Sequence, residues 1–221
     1  SVKTPAYALI KERSFFYNKL MKKGNATRTL ILEHAVARAS EVGLEGLSIG
    51  QLARELDLSK SGLFGHFNSK ADLQVQILDK VSEQFTRKVV KPALQEARGV
   101  PRLRKLFQNW LHWAASKDSQ RKGCPYMAAI MELDDKPGPV RDRLVETQSQ
   151  QIQVLQRTIQ LGQEAKAFDP AYDPAAGAQE MYGFILSFHF YKRLMQDPLA
   201  EARAHQNFER FLQRLTQGAS L

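Results

Sequence analysis

Three observations predict an all-α fold for this chain of 221 residues. Apolar residues recur three and four positions apart along almost every segment, and no segment alternates with period two. Turn residues at Gly43, Asp134 to Pro139 and Asp197-Pro198 separate these segments. Hydrophobic residues make up 43%, enough to bury a sizeable core. The expected organisation is an N-terminal arm (1–26), a three-helix head (27–74) and a larger helical body (75–221).

The arm mixes basic positions with Phe15, Phe16 and Tyr17 and ends at a break, Lys22-Lys23-Gly24-Asn25. From Thr27, Ile31, Ala35, Ala39 and Val42 share one helical face, and Gly43 stands where a left-handed C-terminal cap is needed. Ser48 opens a second helix, with Gln51 completing a capping box and Ile49, Leu52, Ala53 and Leu56 on the buried face. Asp57-Leu58 is a very short connection in which Asp57 takes left-handed geometry. Ser59 caps a third helix carrying Leu63 and Phe67. Ser69 with Asp72 begins a fourth, with Leu73, Ile77, Val81 and Phe85 as its stripe and Pro92 as its end.

The body continues with a helix at 102–117 carrying Leu103, Leu106, Phe107, Trp110 and Ala114. Pro125 starts the next, 134–139 (DDKPGP) turns, and a long helix follows over 140–164. After a turn at 168–174, Asp173 and Pro174 serve as N-cap and first helical residue. Residues 175–196 and 202–216 form the last two helices. The first of these is apolar almost all round (Met181, Tyr182, Phe184, Ile185, Phe188, Phe190), which implies burial on more than one face. Phe208, Phe211, Leu212 and Leu215 give the second a stripe.

Several function classes are disfavoured. No apolar run approaches the roughly 18 residues of a membrane span. Lys3, Lys11, Glu12 and Arg13 interrupt any leader-like stretch, so no signal peptide is expected. A single cysteine, Cys124, rules out an internal disulfide and fits a reducing cytoplasm; a redox role for it is the less favoured reading. No Gly-rich phosphate loop and no Ser/His/Asp set has a supporting context. Glu132, Asp134, Asp135 and His112 lack metal-ligand spacing. No enzyme, cofactor or metal is expected. The net charge of +9 suggests a polyanionic partner. Its excess lies in the arm, with six Lys/Arg against one Glu, whereas residues 27–91 carry nine basic against eight acidic residues.

The short helices around 48–56 and 59–67, joined by a tight turn, have the dimensions of a helix-turn-helix. Such a unit lays its second helix in the major groove while the first crosses the phosphate backbone. The run ILEHAVARASEVGLEGLSIGQLARELDLSKSGLFGHFNSKADL resembles the head of the TetR family of transcriptional regulators, including Gly43, Ser48, Ala53, Leu63, His66, Phe67, Lys70 and Leu73. The resemblance implies that Ser48 binds phosphate and that Ser59, Lys60, Ser61, Gly62 and Phe64 belong to the DNA-facing surface. It also implies that His66 approaches the backbone and that Lys70 contacts a phosphate. Two positions depart from the pattern: Phe64 replaces the usual Tyr, and Gly50 stands where many members carry a long side chain. Specificity then rests more on Lys60, DNA shape and the arm.

The same resemblance implies a dimer paired through the last two helices, a small-molecule effector of unknown identity, and repression at a pseudo-palindromic double-stranded operator. Trp110, Trp113, Tyr126, Met127, Met131, Phe184 and Phe188 are candidates to line an apolar pocket, with ordinary core packing as the competing reading. The alternatives are a DNA-bound architectural or partner-recruiting protein without an inducer, and a helical enzyme that retains the head as a relic.

Overall fold

The computed structural model describes residues 25–115 and 124–217, and every regular element among them is helical. The arm before residue 25 lies outside the described residues, as do positions 116 and 117 of the helix expected at 102–117. Helix α1 spans 25–42. It is followed by α2 (Ile49–Glu55), α3 (Lys60–Phe64), α4 (Lys70–Phe85) and, after a π-helical turn at Thr86–Val90, α5 (Lys91–Leu94). The rest comprises α6 (Val100–Ala115), α7 (Pro125–Leu133), α8 (Pro139–Glu164), α9 (Pro174–His189) with its own π-turn at Phe190–Leu194, and α10 (Ala200–Thr216).

Local chemistry explains the boundaries. Gly43 ends α1 at φ +77°, and Asp57 takes φ 54° between α2 and α3. Both values lie in the left-handed region that these residue types tolerate best. Ser59 Oγ accepts the Gly62 N–H at 2.9 Å and Ser69 Oγ accepts the Asp72 N–H at 3.0 Å. Asp173 receives the N–H groups of Ala175 and Ala176 at the start of α9. These caps satisfy amides that the first turn leaves unpaired.

The capping box expected at Ser48 forms only halfway. Ser48 Oγ accepts the Gln51 N–H at 3.4 Å, but the Gln51 side chain turns forward and donates to Glu55 at 2.9 Å. Val42 also departs from expectation. It is exposed, while Val36 joins Ile31, Ala35 and Ala39 on the buried face, because the chain turns away at Gly43. Pro92 does not end its helix. It lies inside a continuous helical run directly after the π-turn, whose wider turn makes room for its ring and its missing N–H.

One hydrophobic cluster runs from α1 through α10. The stripe Leu73, Ile77, Val81 and Phe85 of α4 is fully buried and carries that core from head to body. The boundary expected between residues 74 and 75 therefore falls inside a continuous helix. Burying each of these side chains stabilises the fold by about 1.5–3 kcal/mol. In the body, Phe107 stacks on Phe208 at 4.0 Å between centroids, tying α6 to α10. No helix among the described residues is long and apolar enough to cross a membrane.

Candidate nucleic-acid interface

The head sets α3 on α2 through buried Leu52, Ala53, Leu63 and Phe67. With these four facing inward, the helical period turns the start of α3 outward. Ser48, Ser59, Lys60, Ser61, Gly62 and Phe64 are all exposed, and Phe64 keeps 45% of its surface accessible. Ser59 and Ser61 share a hydrogen bond at 3.0 Å, so the first turn of α3 carries two hydroxyls and an ammonium on its open side. His66 and Lys70 are half-buried at the rim. Lys70 departs from the simple picture, because its Nζ donates to the Glu45 carbonyl at 2.8 Å.

Gly50 explains how Lys60 is placed. A Cβ at position 50 would lie 3.0 Å from Lys60 Cε, 3.6 Å from Lys60 Nζ and 3.8 Å from Arg54 Nη1. The stem of Lys60 thus fills the space that a side chain at position 50 would take. Two cationic groups converge there on the exposed seam between α2 and α3. Like charges repel in isolation, so this convergence favours a polyanion on that face. The sequence reading missed Arg54, which lies four residues after Gly50, one turn along α2.

Ionic contacts brace the head from behind. His34 Nε2 lies 2.7 Å from Glu55 Oε2, and Arg38 Nε lies 3.5 Å from the same oxygen. The hydrogen bond from His34, that from Gln51 and the charge of Arg38 together hold the Glu55 carboxyl below its ordinary range. Asp72 is lowered in the same way, first by the Gln76 side chain and then by the Asn68 N–H at 2.9 Å. A depressed carboxyl contributes stability above its unfolded pKa and loses it as pH falls through the folded one. Thermal melts should therefore show the head weakening from about pH 5 downward, and Glu55→Gln should flatten that acid limb. An unchanged limb in the variant would refute the assignment. Glu55 is exposed and Asp72 half-buried, so the effect is modest.

Among the described residues, the seven candidate ligand residues fall in different surroundings. Trp110 and Trp113 pack edge-on against Phe85, at 5.0 and 5.8 Å between centroids. Tyr126 is buried and donates its hydroxyl to the Leu78 carbonyl at 3.0 Å; burial raises its pKa to about 12. These three are core. Met127 and the largely exposed Met131 line a groove of about 460 Å³ between α1, α7 and α9, together with Cys124, Leu186, Phe190 and Leu194. Phe184 and Phe188 line a separate groove of about 360 Å³ between α9 and α10. Helical spacing placed each residue on a face but did not reveal which neighbour covers that face.

The stripe of α10 is likewise internal. Phe208, Phe211, Leu212 and Leu215 are all buried within the same chain, leaving α10 a polar outer side. Helix α9 and its π-turn instead leave Leu186, Phe190, Tyr191 and Leu194 exposed, from 37% to 70%.

Residues 31–77 match the family model described as bacterial regulatory proteins, tetR family. Residues 99–208 match the tetracyclin repressor-like C-terminal domain. No curated protein sequence matches the chain. Among solved structures, a TetR transcriptional regulator from Chloroflexus aurantiacus is similar at 20% identity and a TM-score of 0.78, covering 90% of this chain and 99% of its own. AibR, in complex with isovaleryl coenzyme A and operator DNA, is 21% identical with a TM-score of 0.64, over 86% of this chain and 98% of its own. FadR from Bacillus subtilis, in complex with stearoyl-CoA, is 15% identical with a TM-score of 0.67, over 84% and 97%.

Proposed function

The chain belongs to the TetR family of transcriptional regulators, and on that premise we propose that it is a dimeric, ligand-responsive repressor of a pseudo-palindromic operator. The observation that carries this reading is the exposed first turn of α3, braced by buried Leu63 and Phe67 and flanked by the converging cations of Lys60 and Arg54. In this reading residues 27–74 read DNA and residues 75–221 pair and sense. Lys60, Ser61 and Gly62 face base edges, with Ser59 and Phe64 beside them. The Ser48 hydroxyl accepts the Gln51 amide and keeps its proton to donate to a phosphate oxygen. His66 and Lys70 approach the backbone at the rim, Lys70 after releasing the Glu45 carbonyl.

Pairing is assigned to the apolar residues that α9 and its π-turn leave exposed among the described residues, Leu186, Phe190, Tyr191 and Leu194. Three of them, Leu186, Phe190 and Leu194, also rim the groove between α1, α7 and α9. Two copies related by a two-fold axis set two α3 helices about 34–36 Å apart, one turn of the duplex. The effector is proposed to carry a hydrocarbon portion. The groove between α1, α7 and α9 is largely apolar, and AibR and FadR are similar in fold and bind acyl-coenzyme A molecules. An effector that binds better when the heads are wrongly spaced weakens operator binding through α4, the helix shared by head and body.

Lys60→Ala should weaken binding to a selected operator by about 1–3 kcal/mol and relax specificity at one base position. Gel-shift titration of parent and variant on matched and mismatched duplexes measures both. Equal affinity for all of them would remove Lys60 from the interface.

A further inference from the structure

We propose that Glu132 is a positioning residue that locks the DNA-reading head to the body. It sits in the last turn of α7, and its Oε2 accepts the Leu44 N–H at 2.9 Å and the Glu45 N–H at 3.3 Å. Both amides belong to the turn between α1 and α2, far from Glu132 in sequence. A carboxylate receiving two main-chain amides makes charge-assisted hydrogen bonds, stronger than neutral ones.

The turn is held from every side. The Leu44 carbonyl accepts the buried Gln74 Nε2 at 2.8 Å, and the Glu45 carbonyl accepts Lys70 Nζ at 2.8 Å. The Glu45 carboxylate pairs with Lys136 at 3.3 Å. Gly43 makes room for the clasp: a Cβ there would lie 1.7 Å from Glu132 Oε1. Ser48, the N-cap of α2, follows only four residues after Leu44, so the clasp fixes where α2 begins and hence where α3 points.

The same helix α7 offers Met127, Ile130 and Met131 to the groove shared with Ser40 of α1 and Leu186 of α9. A displacement of α7 by an occupant of that groove withdraws the carboxylate from the turn and frees the head. This inference rests on the reading of the chain as a two-headed operator binder, and its test separates the two.

The full chain is compared with Glu132→Ala and Glu132→Gln by amide hydrogen exchange, and by binding to a selected duplex with both half-sites, the same half-sites respaced, and one half-site alone. In Glu132→Ala, exchange at Leu44 and Glu45 should accelerate by about tenfold or more. Affinity for the single half-site should hold, while the preference for the native spacing over the altered one is lost. Glu132→Gln, whose amide oxygen still accepts, should fall between the two. Unchanged exchange and spacing preference, or an equal loss on single and paired half-sites, overturns the proposal. If the parent binds no duplex, the operator reading fails alone, and the exchange rates still decide whether the clasp exists.

Discussion

Phe67→Ala is expected to abolish sequence-specific DNA binding while leaving the helical body folded. Phe67 is 1% exposed, lies just beyond α3, and carries the Arg28 guanidinium over its ring at 5.5 Å. With Leu63 and Leu52 it sets the angle between α2 and α3. Truncating a buried Phe to Ala typically destabilises by about 3–5 kcal/mol, through lost transfer energy and the cavity left behind. Phe67 is the one buried phenyl ring of residues 27–74, whereas Phe64 is 45% exposed, so the loss falls on the element that must be rigid to read DNA. Melting of the chain should shift down by roughly 10 °C, monitored by circular dichroism, with specific affinity lost at the working temperature. Phe67→Leu should retain most of both. A Phe67→Ala protein that melts with the parent and still binds would show that α3 does not depend on this packing.

The second large effect is expected from Leu186→Glu combined with Phe190→Glu. Both side chains are exposed on the outer face of α9, at 37% and 47%, beside Leu194 at 70%. A carboxylate at each position places like charges across a two-fold axis, where each would be desolvated on pairing. Both positions are partly exposed at the rim of the groove between α1, α7 and α9, outside the packed core, so the fold of each copy should persist. A dimer converts binding of the second half-site into an intramolecular event, an advantage of about 10²–10⁴ in affinity. The variant should run at monomer mass in sedimentation and lose about that factor on a paired operator, with single half-site binding intact. A variant that still sediments as a dimer would move the pairing surface elsewhere.

The head was largely legible because its boundaries are set by local chemistry. Ser59 and Ser69 cap through side chains that reach only three residues along the chain, as Asp173 does over two or three residues in the body. Gly43 and Asp57 bend the backbone where their own conformational freedom allows it. The exposed face of α3 followed from the period of Leu63 and Phe67. What escaped was long-range. The contact of Glu132 with Leu44 joins residues 88 positions apart, and nothing near residue 132 announces it. The bond from Lys70 to Glu45 and the convergence of Arg54 on Lys60 depend on tertiary placement too.

The body was less legible. Trp110, Trp113, Tyr126, Met127, Met131, Phe184 and Phe188 were candidates for a pocket lining or for core packing, and Met131 is 74% exposed. The others divide between packed core and two grooves on different sides of α9. A helical stripe says that a face is apolar; only the neighbouring helices decide whether a space is left beside it. Pro92 misled for a related reason. A π-turn ahead of it lets the helix run on through a residue that has no N–H to donate.

Everything functional here depends on α3 entering the major groove of a duplex. The most direct measurement is selection of bound sites from a pool of random duplexes by the full chain at low salt, followed by sequencing. The predicted result is one enriched motif, present as two inverted copies about 10–10.5 base pairs apart or a multiple of that, with enrichment lost in Lys60→Ala. A pool that emerges as random as it began would contradict the account at its root.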